Sequence, residues 1–129
     1  MNTINQNTEQ NNTTKIYIKE FENLNRQQKF PEGVNPTMYW AYKESQETNN
    51  EHLNFYEVIW DNDVEQIVRT CKTNGIREFS ISSNYSGLIA CLASFEKSGW
   101  KVCGLTEAND RKNMHGITTK IPAIKIEVL

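Results

Sequence analysis

Two stretches of the chain repeat one apolar spacing. Val64, Ile67, Val68 and Cys71 fall at i, i+3, i+4 and i+7, and Leu88, Cys91, Leu92 and Phe95 do so again. That spacing sets four side chains on one stripe of an α-helix. Asp61, Asn62 and Asp63 precede the first stripe and supply capping oxygens and negative charge at the positive helix end. Asn74-Gly75 stops it, and Ser98-Gly99 stops the second. Between and after the helices lie strand patterns: Ile76–Ser82, with Ile76, Phe79 and Ile81 turned to a core, then Trp100–Leu105, then Ile121–Leu129. A polar loop, Asn109–Lys120, separates the last two. Strands joined by a helical crossover run parallel in one sheet, so the Ile76 and Trp100 strands share a sheet and the last strand returns antiparallel. The fold class is therefore α/β, a mixed sheet with flanking helices.

The first half is patterned less regularly. Ile16 and Ile18 alternate in Lys15–Phe21, which reads as a strand. Pro31-Glu32-Gly33 marks a turn. Asn35-Pro36 pairs a capping side chain with a proline at the first helical position, the start signal of a short helix over Met38–Ser45. Tyr39, Trp40 and Tyr42 favour a strand over the same residues, and both readings stand. Glu47–Asn50 reads as a polar loop and Leu53–Trp60 as a strand. Residues 1–14 hold five Asn, two Gln and four Thr, with Met1 and Ile4 as their apolar members. Such a segment buries too little to offset its ordering entropy and reads as a disordered tail before a single domain over 15–129.

At 129 residues the chain has room for one core, and its 37% hydrophobic and 23% charged content is that of a globular domain. No apolar run is long enough to span a membrane, and no signal-peptide pattern opens the sequence. Cys71, Cys91 and Cys103 are an odd, sparse set, which fits reduced thiols and a cytoplasmic location. The net charge of −2 argues against direct nucleic-acid binding. Its distribution says more. Residues 1–43 carry +1, residues 44–65 carry −7, and residues 66–129 carry +4. The acidic segment is interleaved with aromatic residues from Tyr42 to Trp60, so Glu47, Glu51 and Glu57 are candidates for docking a protein partner with a basic surface. A solubilising face with helix-capping acids is the alternative.

Candidate chemistry is sparse. Cys71 and Cys91 lie in the apolar stripes and read as small core hydrophobes. Cys103 falls in a strand and can face either way. His52 and His115 lie in polar loops, and no histidine or cysteine pair has the spacing of a zinc site. No catalytic residue, metal site or cofactor is expected from these residues. Ser82, Ser83, Asn84 and Ser86 follow a strand and open a helix, where hydroxyls and free N–H groups suit a phosphate or carboxylate. Helix capping by Ser83 or Asn84, which needs no ligand, is the simpler reading of the same residues. Arg111, Lys112, His115 and Lys120 form a modest basic loop.

The segments Asn74-Gly75-Ile76, Phe79–Asn84, Ser94-Phe95-Glu96-Lys97-Ser98-Gly99-Trp100, Lys101–Leu105 and Ile121–Leu129 together resemble the C-terminal half of the GCN5-related N-acetyltransferases. The resemblance implies an acetyltransferase-like second half. That family grips coenzyme A with a glycine-containing loop at the first of these helices. The corresponding Trp60–Gln66 has no glycine and three carboxylates, which repel a pyrophosphate. Where the family often places a tyrosine general acid, this chain has Phe95, with no proton to give. The whole of 15–129 also resembles a group of small uncharacterised proteins of Gram-positive mobile elements. Asn35–Tyr42, Glu57–Asp61, Gly75–Ser83, Phe95–Lys97 and Gly104–Glu107 carry that likeness. The expectation is a non-catalytic accessory protein of a mobile element that binds a host or element macromolecule. The alternative is an acyl-coenzyme A-dependent N-acyltransferase with a divergent cofactor loop.

Overall fold

The computed structural model describes residues 16–27 and 33–129. The expected tail over 1–14 and the Pro31-Glu32 part of the expected turn lie outside the described residues.

The α/β expectation holds as a mixed four-stranded sheet with helices. In chain order the elements are α1 (Lys19–Gln27), α2 (Pro36–Glu47), β1 (Leu53–Phe55), α3 (Val64–Thr73), β2 (Glu78–Ile81), α4 (Leu88–Lys97), β3 (Trp100–Asn109) and β4 (Lys120–Val128). A one-turn 3₁₀ helix, Asp61–Asp63, leads into α3. The sheet order is β1-β2-β4-β3. β1 and β2 are parallel, and β4 lies antiparallel to both β2 and β3. The strands flanking α4 therefore share a sheet, as expected, with β4 inserted between them.

Each helix follows from its local sequence. Asn35 Oδ1 accepts from Met38 N at 2.9 Å ahead of Pro36, so the start signal decides between the two readings and 36–47 is helix. Aromatic β-propensity loses because Met38, Tyr39, Ala41, Tyr42 and Ser45 line one buried stripe. Of the strand expected over Lys15–Phe21, Lys15 lies outside the described residues and Ile16–Phe21 is not a strand. Ile16 and Ile18 are buried, but Ile18 C=O already accepts from Phe21 N and Glu22 N, and the chain turns into α1. Two alternating isoleucines are too few to set a period. α3 ends at Asn74 with Gly75 at φ +70°, and Ile76 N bonds back to Cys71 C=O at 2.9 Å.

Two strand ends also differ from expectation. The Leu53–Trp60 strand stops at Phe55, because Tyr56–Trp60 leaves the sheet. β3 runs on to Asn109 rather than ending at Leu105. The register shifts between Val102 and Leu105, and Gly104 sits there at φ +102°. This bulge lets the hairpin continue while changing direction.

One sheet face is apolar. Leu53 pairs with Phe79 and Phe55 with Ile81, and β4 adds Ile124 and Ile126 in the same register. Cys71 of α3, Cys91 and Phe95 of α4, Phe21 of α1 and Tyr42 of α2 join this one core. The other face is polar. Ser80 donates to Asn54 Oδ1 at 2.6 Å, and Lys125 pairs with Glu127 at 2.9 Å. The free edge of β1 is covered by α2: Ser45 Oγ accepts from Asn54 N at 2.9 Å and donates to Asn54 C=O at 3.2 Å.

Candidate functional site

α2 and the segment Tyr56–Trp60 diverge from β1 to leave a cleft of about 520 Å³. Thr37, Trp40, Ala41 and Glu44 form its helical wall, spaced i, i+3, i+4 and i+7, while Phe55 to Val58 and Trp60 form the other. Phe55 is fully buried, but Trp40 and Trp60 are 50% and 64% exposed. Large exposed aromatics lining one concavity are unusual on a surface with nothing to bind. Trp40 is held by its edge contact with Tyr39, with ring centroids 5.3 Å apart.

The far end of the β3–β4 hairpin reaches three residues of the cleft wall, Tyr56 through Asn109 and Glu44 and Glu57 through Arg111. Asn109 N donates to Asn50 Oδ1 at 2.8 Å, and Asn109 Nδ2 donates to Thr48 C=O at 2.8 Å. Asn109 C=O accepts from both Tyr56 OH and Asn50 Nδ2. Burial, the largest effect, raises the Tyr56 phenol above its ordinary pKa, so the hydroxyl keeps its proton to donate. Arg111 follows immediately. Its Nε donates to Glu44 Oε2 at 2.8 Å, its Nη2 donates to Glu57, and its Cζ lies 5.3 Å from the Tyr56 ring centroid. The bond to Glu44 is the main cause holding the guanidinium pKa above its ordinary value. The other oxygen of that carboxylate, Glu44 Oε1, is buried and has no hydrogen-bond partner among the described residues.

The acidic residues singled out from sequence are not brought together. Glu57 lies on the cleft beside Arg111. Glu47 is exposed in the last turn of α2, and Glu51 lies at the opposite end of β1 near His52. Glu44, which belongs to the acidic segment but not to its three named candidates, and Trp40, which precedes that segment, share the cleft with Glu57. The signal that finds them is the helical spacing of Thr37, Trp40, Ala41 and Glu44.

The serine cluster is largely engaged internally. Ser82 Oγ accepts from Asn54 Nδ2 at 3.0 Å, and Ser83 Oγ donates to Glu57 C=O at 2.9 Å. Asn84 and Ser86 are exposed, and Gly87, not Ser83 or Asn84, precedes α4, with no side-chain cap. At α3 the capping acids also act differently than expected. Asp63 makes no side-chain cap to α3 but accepts from Trp60 N, Thr37 Oγ1 and Asn35 Nδ2, tying the two cleft walls together. Burial pushes the Cys71 thiol up to about 12 and raises that of Cys91, whereas Cys103 is exposed. Among the described residues no cluster of His, Cys, Asp and Glu has the placement to hold a metal, and no helix is long and apolar enough to cross a membrane.

Fold and cleft together define an α/β domain with a mixed sheet and one aromatic, acid-rimmed concavity. The chain belongs to the family described as Domain of unknown function (DUF7698), which matches residues 37–128. No curated protein and no solved structure matches it.

Proposed function

We propose that this protein is a non-catalytic binding protein that holds a basic segment of a partner macromolecule in the cleft between α2 and Tyr56–Trp60. The observation that carries the reading is the exposure of Trp40 and Trp60 on one cleft whose rim bears Glu44 and Glu57. Aromatic anchors in a concavity supply most of the binding energy at protein interfaces, while carboxylates at the rim steer a basic partner. Its role as an accessory protein of a mobile element rests on the segment resemblance alone.

The acyltransferase alternative requires sheet strands splayed apart near Ser83 to admit a cofactor. Here Ser82 N still bonds Phe55 C=O at 3.0 Å. Beyond that point Ser83 Oγ bonds Glu57 C=O, and Tyr85 OH bonds both N and C=O of Ile59. These bonds tie together the segments that follow the two strands, which favours binding over acyl transfer, and the pocket of about 590 Å³ beside them is lined by Asp61 with no basic residue to hold a pyrophosphate.

The test compares proteins retained from native cell extract by the wild type and by a Trp40→Ala, Trp60→Ala variant shown to be folded. One partner retained by the first and lost by the second supports the reading. Equal retention overturns it. Calorimetric binding of acetyl-coenzyme A tighter than about 100 μM, or roughly −5.5 kcal/mol, overturns it in favour of the alternative.

A further inference from the structure

We infer that the cleft recognises an arginine side chain of the partner, and that Arg111 is a resident guanidinium which this arginine displaces. The inference rests on the cleft reading above and names the chemistry recognised there. Two carboxylates from separate elements, Glu44 on α2 and Glu57 after β1, converge on one guanidinium lying against the Tyr56 ring. A planar fork of donors fits two carboxylates and a ring face, whereas an ammonium is a compact point charge. The fold thus already displays the recognition it offers.

The resident fits incompletely. Among the described residues Glu44 Oε1 remains buried without a donor while Arg111 occupies the other oxygen. An unpaired buried acceptor favours any ligand that brings a further N–H, and a guanidinium entering from the cleft carries five donors. Arg111 is also easy to release. Its side chain is 46% exposed, and the backbone beside it is fixed independently by the Asn109 bonds to Asn50 and Thr48. The side chain can swing into solvent without moving the hairpin. Trp40, Val58 and Trp60 then offer apolar surface to the stem of the incoming arginine and its neighbours. The charge of −7 over residues 44–65 favours the encounter.

The probe is a fluorescein-labelled seven-residue peptide alternating glycine and arginine, with a citrulline version that keeps shape and loses charge. Fluorescence anisotropy reads binding to the full chain. Arg111→Ala should bind the arginine peptide about tenfold tighter than wild type, the factor expected if the resident occupies the site nine-tenths of the time. Arg111→Gln, which keeps a polar side chain of similar reach on the loop, should also bind tighter and serves if the alanine variant folds poorly. Glu57→Gln and Trp40→Ala should each weaken wild-type binding, and the citrulline peptide should bind neither wild type nor the Arg111 variants. The inference is overturned if both Arg111 variants bind no tighter than wild type, or if citrulline replaces arginine without loss. Should Trp40→Ala still weaken binding in that case, the cleft reading stands and only guanidinium exchange fails. Retention of the natural partner despite loss of both tryptophans removes the cleft reading itself.

Discussion

Phe79 and Asn109 belong to one sheet and are held by unlike means. Phe79 lies among the rings of Phe55, Phe95 and Trp100, with centroids 5.3, 5.1 and 5.1 Å away. Asn109 is held by hydrogen bonds that it donates to Asn50 and Thr48 and accepts from Tyr56, residues far from it in sequence. Dispersion and burial around Phe79 are non-directional, so several packings serve and no single partner decides. The network around Asn109 is directional, and losing one member strands the others. The first region supplies the stability of the domain. The second places the hairpin, and with it Arg111, against the cleft.

The sharpest way to break the comparison is to remove a ring from the first region. Phe95 is fully buried, so Phe95→Ala should cost about 3–5 kcal/mol in urea unfolding. Ile89 on the same helix is 81% exposed, and Ile89→Ala should stay within about 0.5 kcal/mol. Equal effects at the two positions would mean that α4 presents a different face to the sheet.

Alkaline pH presses on the same region. Folded Cys71 keeps its proton to about pH 12, whereas in the unfolded chain the thiol titrates near its ordinary 9.0. Between those values the unfolded state binds fewer protons, so stability should be flat below pH 9 and fall as pH rises. Cys91, Tyr42 and Tyr85 are raised as well, in each case chiefly by burial, and act in the same direction. Unfolding free energies measured from pH 7 to pH 11 check this. Cys71→Ala should lower stability at pH 7 yet flatten the slope, and an unchanged slope would count against burial of that thiol.

In the second region Asn50→Ala should cost about 1–3 kcal/mol, because it leaves Asn109 N without its acceptor. Hydrogen exchange at the Asn109 amide should accelerate in that variant well beyond what global destabilisation explains. Unchanged protection would show that the hairpin is held by something other than this network.

The two regions also differ in how far the sequence reveals them. The stripes of α3 and α4, the Asn35-Pro36 start and the Asn74-Gly75 stop are local, so their periods and caps are readable residue by residue. Phe95 is core as its spacing implies. α1 was misread because Ile16 and Ile18 fit a strand alternation as well as the entry to a helix. β3 extends beyond the expected Leu105 because the bulge at Gly104 re-aims the strand, and no local pattern in the sequence marks that continuation. The cleft was half legible. Concentrated acidic charge pointed at the segment containing Glu44 and Glu57, but grouped Glu57 with Glu47 and Glu51, which lie elsewhere. Arg111 looked like one member of a solvated basic loop. No periodicity links position 111 to positions 44 and 57, since that contact depends on where a bulged hairpin ends.

The smallest expected effect is the one on which guanidinium exchange depends. Arg111 and Glu57 are 46% and 67% exposed, so their pair is screened by solvent despite its close contact. A double-mutant cycle on Arg111→Ala and Glu57→Gln should give a coupling of about 0.2–1 kcal/mol, shrinking further at 1 M salt where the screening length is about 3 Å. Glu47→Gln and Glu51→Gln, which lie away from Arg111, should couple to it not at all. A weak pair is what displacement requires: an incoming arginine must recover the cost of releasing Arg111 before it gains anything from Trp40 and Trp60. A coupling above about 2 kcal/mol would raise that cost more than twentyfold in affinity. Arg111 would then be a structural strut closing the cleft, and a partner would have to bind along the tryptophans without reaching Glu44.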